Sequence, residues 1–105
     1  MTEARVILVT FPDLEAGKKV TRELLSCGLI QCVNLVPGAT SLYTWKGKVQ
    51  EESEVVGIMK TTSERVDELE VAFCERHPYE VPEFLVLPVE GGSAAYLEWL
   101  AQRTS

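Results

Sequence analysis

Long apolar runs are missing from this 105-residue sequence. The longest, Val6-Ile-Leu-Val9 and Phe84-Leu-Val-Leu-Pro-Val89, fall far short of the ~20 residues that a membrane-spanning helix requires, so no membrane partner is expected. Basic charge is also scarce: ten Lys and Arg stand against sixteen Asp and Glu, a formal charge of −6. Nucleic-acid affinity comes mainly from basic groups that neutralise phosphates, so this balance excludes a nucleic-acid binder and favours cations as small partners. Cysteine is limited to Cys27, Cys32 and Cys74, an odd number at irregular spacing that gives no disulfide framework. Free, mostly buried thiols are the expectation. There is one histidine, and CxxC, HxxxH and GxSxG patterns are all missing. A tight four-ligand metal site within one subunit is therefore not expected, and neither is enzymatic activity. The opening MTEARVILVTFPD places Glu3 ahead of the first apolar stretch and shows no small-residue cleavage site, which points to the cytoplasm.

What is present is an ordinary globular composition, 46% hydrophobic and 25% charged with mean hydropathy near zero. The length suits one domain over residues 1–105. Arg5 to Phe11 reads as a strand ending at Pro12-Asp13, and Asp13 is placed to cap a helix from Leu14 to Cys27 with Val20, Leu24 and Cys27 on one stripe. Gly28 supplies its stop. Leu29 to Val36 is a second strand, interrupted by Pro37-Gly38. Alternation resumes in Leu42 to Trp45, turns at Lys46-Gly47-Lys48 and returns through Val49 to Thr62. Ser63 is the expected cap of a second helix in which Val66, Leu69 and Phe73 recur at helical spacing. Phe84 to Val89 is the fourth strand, and Ser93 caps a short terminal helix carrying Tyr96, Leu97 and Leu100. The order βαββαβ plus a helix is the ferredoxin-like α+β arrangement, an antiparallel sheet with two main helices on one face.

With helices on one face, strands whose other face meets water should alternate apolar and polar. Val6-Ile-Leu-Val9, Val55-Val56 with Ile58-Met59, and Phe84-Leu-Val-Leu87 are instead apolar at both parities. The chain has too few helices to cover that second face, so identical subunits are expected to cover it. Each arm of the middle hairpin should reach roughly 25–30 Å at ~3.3 Å per residue, against a radius of gyration of ~13 Å for a domain of this length. Its tip, with Tyr43 and Trp45, is expected to lie on a neighbour.

HPYEVPE, residues 77–83, concentrates the candidate chemistry. Pro78 and Pro82 alone explain a stiff corner between the second helix and the fourth strand. The functional reading rests on His77, because imidazole is a good ligand for copper or zinc, with oxygen ligands from Glu80, Glu83 or another subunit. Cys74, three residues earlier, would share a helix face if the last turn persists. Lys60, Tyr79 and Glu83, together with Glu51, Glu52 and Glu54 of the hairpin, are candidates for a cleft between subunits. An RNA-recognition module has the same element order, but the third strand, VVGIMKTT, lacks the stacking aromatics it needs.

The sequence resembles the CutA family of divalent-cation tolerance proteins over nearly its whole length. The resemblance is carried by Cys32-Val-Asn34, Val36-Pro-Gly38 with Ser41, Tyr43, Trp45 and Gly47, Lys60-Thr61, His77-Pro-Tyr79 with Pro82-Glu83, and Tyr96-Leu97 with Trp99. It implies a homotrimer similar in architecture to the PII signalling proteins, hairpins that wrap adjacent subunits, binding of divalent cations such as Cu(II), and His77 as the ligand that carries over most directly. The family's copper-site cysteine and second histidine fall at Val9 and Arg76 here, so weak cation binding, or binding that leans on carboxylates and other subunits, is expected. A PII-like signalling or scaffold trimer that holds a small molecule or partner protein in its clefts is the alternative.

Overall fold

The computed structural model describes residues 2–103. The chain runs β1 (Ala4–Phe11), α1 (Leu14–Ser26), β2 (Cys32–Trp45), β3 (Lys48–Thr62), a 3-10 turn at Ser63–Arg65, α2 (Val66–Arg76), β4 (Phe84–Pro88) and α3 (Ala94–Arg103). The strands form one antiparallel sheet in the order β2-β3-β1-β4. This is the expected ferredoxin-like α+β fold.

Period-2 alternation assigns each strand residue to a face. Ile7, Val9, Phe11, Val55 and Met59 turn toward α1 and α2 and join Val20, Leu24, Leu69 and Phe73 in one buried cluster. Burial of side chains as large as Phe11 and Phe73 contributes about 1.5–3 kcal/mol each. Asp13 caps α1 as expected, its Oδ1 accepting the Ala16 N–H at 2.8 Å. Ser93 likewise accepts the Tyr96 N–H on Oγ at 3.3 Å. Ser63 does not cap α2. It opens the 3-10 turn, and its hydroxyl donates to the Glu3 carboxylate at 3.1 Å.

On the opposite face the registers align Val6, Leu8 and Thr10 of β1 with Lys60, Ile58 and Val56 of β3, and with Leu87 and Leu85 of β4. Leu85 is 54% exposed and Val36 47%, so the chain leaves a largely apolar sheet face uncovered, as the double-parity pattern requires. α3 covers one end of that face: the Cys32 sulfur meets the Tyr96 hydroxyl at 3.3 Å, and Gln31 Nε2 donates to the Trp99 carbonyl at 3.4 Å.

Pro37-Gly38 does not interrupt β2. Val36 pairs with Val56 and Ala39 with Glu54, so three steps on β2 match two on β3 and one residue is extra, a β-bulge. Beyond it the odd-numbered residues Ser41, Tyr43 and Trp45 stand opposite Glu52, Gln50 and Lys48. The hairpin closes through Lys46 and Gly47, both at positive φ (52° and 78°), the backbone of a two-residue turn whose twist suits paired strands. It projects past the core: the molecule measures 44 × 26 × 23 Å, with a radius of gyration of 14.3 Å.

The thiols differ from expectation. Cys27 and Cys74 are exposed and Cys32 is half-buried. Cys27 follows the last turn of α1, where the apolar stripe has already turned out of the core.

Candidate functional site

Between the hairpin and the 77–83 loop lies a groove of about 820 Å³. One wall carries Tyr43, Trp45, Glu52 and Glu54; the other carries Tyr79, Glu80 and Glu83. The strand pattern puts Glu52 and Glu54 two residues apart on one face, and the bulge brings Tyr43 and Trp45 onto it. His77, ahead of Pro78, is extended, as the sequence suggests, and residues 78–81 then bend along the groove.

Glu54 is the central group. It is only 9% exposed, and its Oε2 accepts the Tyr79 hydroxyl at 2.7 Å. Tyr43 donates to Glu52 in the same way. That bond to Glu52 raises the Tyr43 hydroxyl above its ordinary pKa; burial, followed by the bond to Glu54, raises that of Tyr79. Glu83 is also raised, first by loss of solvent against the groove wall and then by the negative charge of Glu54. Among the described residues no Lys or Arg pairs with Glu52, Glu54, Glu80 or Glu83; the ion pairs found are those of Arg76 with Glu23 and Glu75. The groove therefore presents carboxylate and phenol oxygens without a basic counter-charge.

His77 sits behind the groove rather than in it. It is 8% exposed, stacked on Phe11 with centroids 5.3 Å apart and flanked by Phe73 at 5.1 Å and Tyr79 at 4.7 Å. Nδ1 accepts the Tyr79 backbone N–H at 3.0 Å, which leaves Nε2 as the protonated nitrogen, donating to the Thr10 carbonyl at 2.7 Å. Both ring nitrogens are engaged, so in this arrangement the imidazole has no free lone pair for a metal. Val9 is fully buried in the helix-side core. Arg76 turns toward α1, with Nε on Glu23 at 3.0 Å and Nη1 on the Ala72 carbonyl at 2.9 Å. Cys74 is exposed on α2 while His77 points inward, so the shared face expected of that pair does not form. No group of three or more His, Cys, Asp or Glu side chains is arranged to hold a metal among the described residues of one chain.

Of the residues expected in a cleft between subunits, Tyr79, Glu83, Glu52 and Glu54 line this groove within one chain, together with Glu80, the expected oxygen ligand; Glu51 has the opposite strand parity and does not. Lys60 does not join them. It lies six residues along β3 from Glu54, roughly 20 Å at ~3.3 Å per residue, and donates to Asn34. Tyr43 and Trp45, expected at a subunit contact, form groove wall within the chain itself, with Trp45 52% exposed. Sequence reasoning missed the Cys32–Tyr96 contact, which lifts the tyrosine hydroxyl to about 12. Its only trace in sequence is that both residues lie in the segments that carry the family resemblance.

Comparison with known proteins is consistent with this architecture. Residues 5–103 match the family model described as CutA1 divalent ion tolerance protein. A protein from Arabidopsis thaliana, "Protein CutA, chloroplastic", is 46% identical over 94% of this chain but 54% of its own length, so the chain spans about half of that relative. The "Divalent-cation tolerance protein CutA" of Thermus thermophilus is 39% identical over 94% of this chain and 96% of its own length. Among solved structures, a divalent cation tolerance protein from Thermus thermophilus superposes with a TM-score of 0.94 at 38% identity, covering 97% of this chain and 99% of that one. The Oryza sativa CutA1 structure gives 0.91 at 43% identity, with coverages of 94% and 91%. The chain belongs to the CutA1 divalent ion tolerance family.

Proposed function

We propose that this protein is a divalent-cation-binding member of its family, acting in tolerance of metals such as copper rather than in catalysis, and that it works as a symmetric homotrimer. The observation that carries the cation reading is the Glu54–Glu83 pair: two carboxyl groups in one groove, Glu83 raised by burial and by the charge of Glu54, with no basic side chain among the described residues to offset them. A divalent cation bound there relieves the repulsion and takes the oxygen ligands that such cations accept. The trimer reading is supported by the uncovered sheet face around Leu85, Leu87 and Val36 and by the projecting hairpin. A small-molecule cleft that used Lys60 together with Tyr79 would need the two from different subunits, because one chain holds them apart.

Calorimetric titration with MnCl2 and CuCl2 tests the cation reading. Glu54→Gln and Glu83→Gln should each weaken binding by about tenfold, the equivalent of one 1.4 kcal/mol contact. Heats identical to wild type would remove the groove from consideration. Affinity should climb as pH rises through a window just above the ordinary carboxylate range, because Glu83 holds its proton longer than a free glutamate and the cation must displace it. Light scattering should return three times the 11.7 kDa chain mass; a monomer at micromolar concentration would overturn the trimer.

A further inference from the structure

We propose that His77 is a positioning residue of the groove and not a ligand for the cation. Its imidazole is locked as the Nε2–H tautomer between the Thr10 carbonyl and the Tyr79 amide. A metal on Nδ1 would have to expel the Tyr79 N–H, now 3.0 Å away, and leave that amide without its partner at the start of the 77–83 loop. A metal on Nε2 would have to reverse the tautomer and reach a ring packed among Phe11, Phe73 and Tyr79 with 8% exposure. The neighbouring positions add nothing to an imidazole site: Val9 is apolar and buried, and Arg76 is cationic and tied to Glu23.

The same bonds have a clear purpose in the loop. Pro78 lacks an N–H, so the first amide available to anchor the loop after His77 is that of Tyr79, and His77 Nδ1 takes it. The tyrosine ring is thereby set against the imidazole at 4.7 Å, its hydroxyl reaches Glu54 at 2.7 Å, and Glu83 is brought within the electrostatic reach of Glu54. The imidazole fixes one wall of the groove from behind, and the ligands are the oxygens in front. That a supporting partner sets ligand geometry without touching the metal is a common arrangement in metal sites. The inference rests on the cation reading above only where a metal is added.

The chain's single histidine gives one imidazole spin system, so a long-range proton–nitrogen correlation on labelled protein in its native assembly reads the tautomer directly. The expected result is Nε2–H, with neither ring nitrogen shifting when ZnCl2 is added to saturation while the Glu54 and Glu83 carboxyl signals move. A ring nitrogen that moves to a metal-bound position, or an Nδ1–H tautomer in the free protein, would overturn the proposal. Two variants separate positioning from ligation. Both variants carry an amide oxygen and an amide N–H, but His77→Asn sets the oxygen near the place of Nδ1, within reach of the Tyr79 N–H, whereas His77→Gln carries its amide one methylene further, near the place of Nε2 and the Thr10 carbonyl. Zinc affinity and exchange protection of the Tyr79 amide should be better preserved in Asn than in Gln, with affinities about tenfold apart; equal loss in both contradicts the positioning role. If zinc gives no heat and moves no signal, the groove does not hold zinc and the cation reading turns on the manganese and copper titrations above. The tautomer and the Asn-against-Gln order of Tyr79 protection then decide the role of His77.

Discussion

Replacing Tyr79 by phenylalanine removes one oxygen and keeps the ring that packs on His77. The lost bond is short, 2.7 Å, and ends on a carboxylate that is 9% exposed. A hydrogen bond to a charged group contributes about 1.5–3 kcal/mol, and the groove is open enough for water to replace part of it. The lower end applies, about 1.5 kcal/mol of lost stability. Urea denaturation of wild type, Tyr79→Phe, Glu54→Gln and the double variant, at one protein concentration and neutral pH, separates this bond from its surroundings. Glu54→Gln keeps an acceptor but loses its charge, and charged bonds are about twice as strong as neutral ones, so its share of the loss should be about half. The double variant should show a coupling of at least about 0.5 kcal/mol, as expected for residues in contact. A Tyr79→Phe protein as stable as wild type, or a cycle with no coupling, would refute the idea that this bond holds the groove wall in place.

Gly57 offers a test of the core beneath the groove. A Cβ there would stand 2.7 Å from Val9 Cγ2 and 3.0 Å from Phe11 Cε2, and a buried β-branched side chain has little room to turn away. Gly57→Ala should therefore cost about 1–3 kcal/mol, read as a lower urea midpoint with unchanged slope; a more stable variant would show that β1 can move. Alkaline titration tests the three tyrosines together, since Tyr43, Tyr79 and Tyr96 are all raised above the ordinary value. At pH 10, where a free tyrosine is half ionised, tyrosinate absorbance should be well below that of the unfolded chain. Because the native state binds more protons there than the unfolded state, stability should fall as pH rises through about 10. Native and unfolded titration curves that coincide would contradict the hydrogen bonds assigned to Glu52 and Glu54.

The fold was legible in the sequence because its signals are local and agree with one another. Asp13 and Ser93 cap where side-chain chemistry says they should, and the double-parity strands announced an uncovered face that the registers bear out. Ser63 misled because a cap is recognised by residue type, while the Glu3 carboxylate, sixty positions away in sequence, captured its hydroxyl. Pro37-Gly38 misled in a related way. Such a pair signals a break in alternation, and a strand can absorb that break as a bulge. At the site, Tyr79, Glu83, Glu52 and Glu54, expected in a cleft between subunits, line a groove within one chain, whereas Glu51 has the opposite strand parity and does not. That His77 turns inward was not recognisable, because it depends on Phe11 and on the Thr10 carbonyl, 67 residues away across the sheet. Residue type and the family resemblance made the histidine a ligand candidate; how its nitrogens are used is visible only from their partners.

The extra residue near Gly38 works like a shift of reading frame within the strand. Inside it, β2 presents even-numbered side chains to the open face; outside it, odd-numbered ones. Removing one residue there, with pairing otherwise kept, would turn Leu42 and Thr44, in place of Tyr43 and Trp45, to the sheet face that carries Glu52 and Glu54, while leaving composition almost untouched. Changes of hairpin length outside the bulge are constrained by the same parity: two residues preserve the lining, one inverts it. The identity of the groove is thus encoded less by which aromatics the hairpin carries than by a single count made before the chain reaches them.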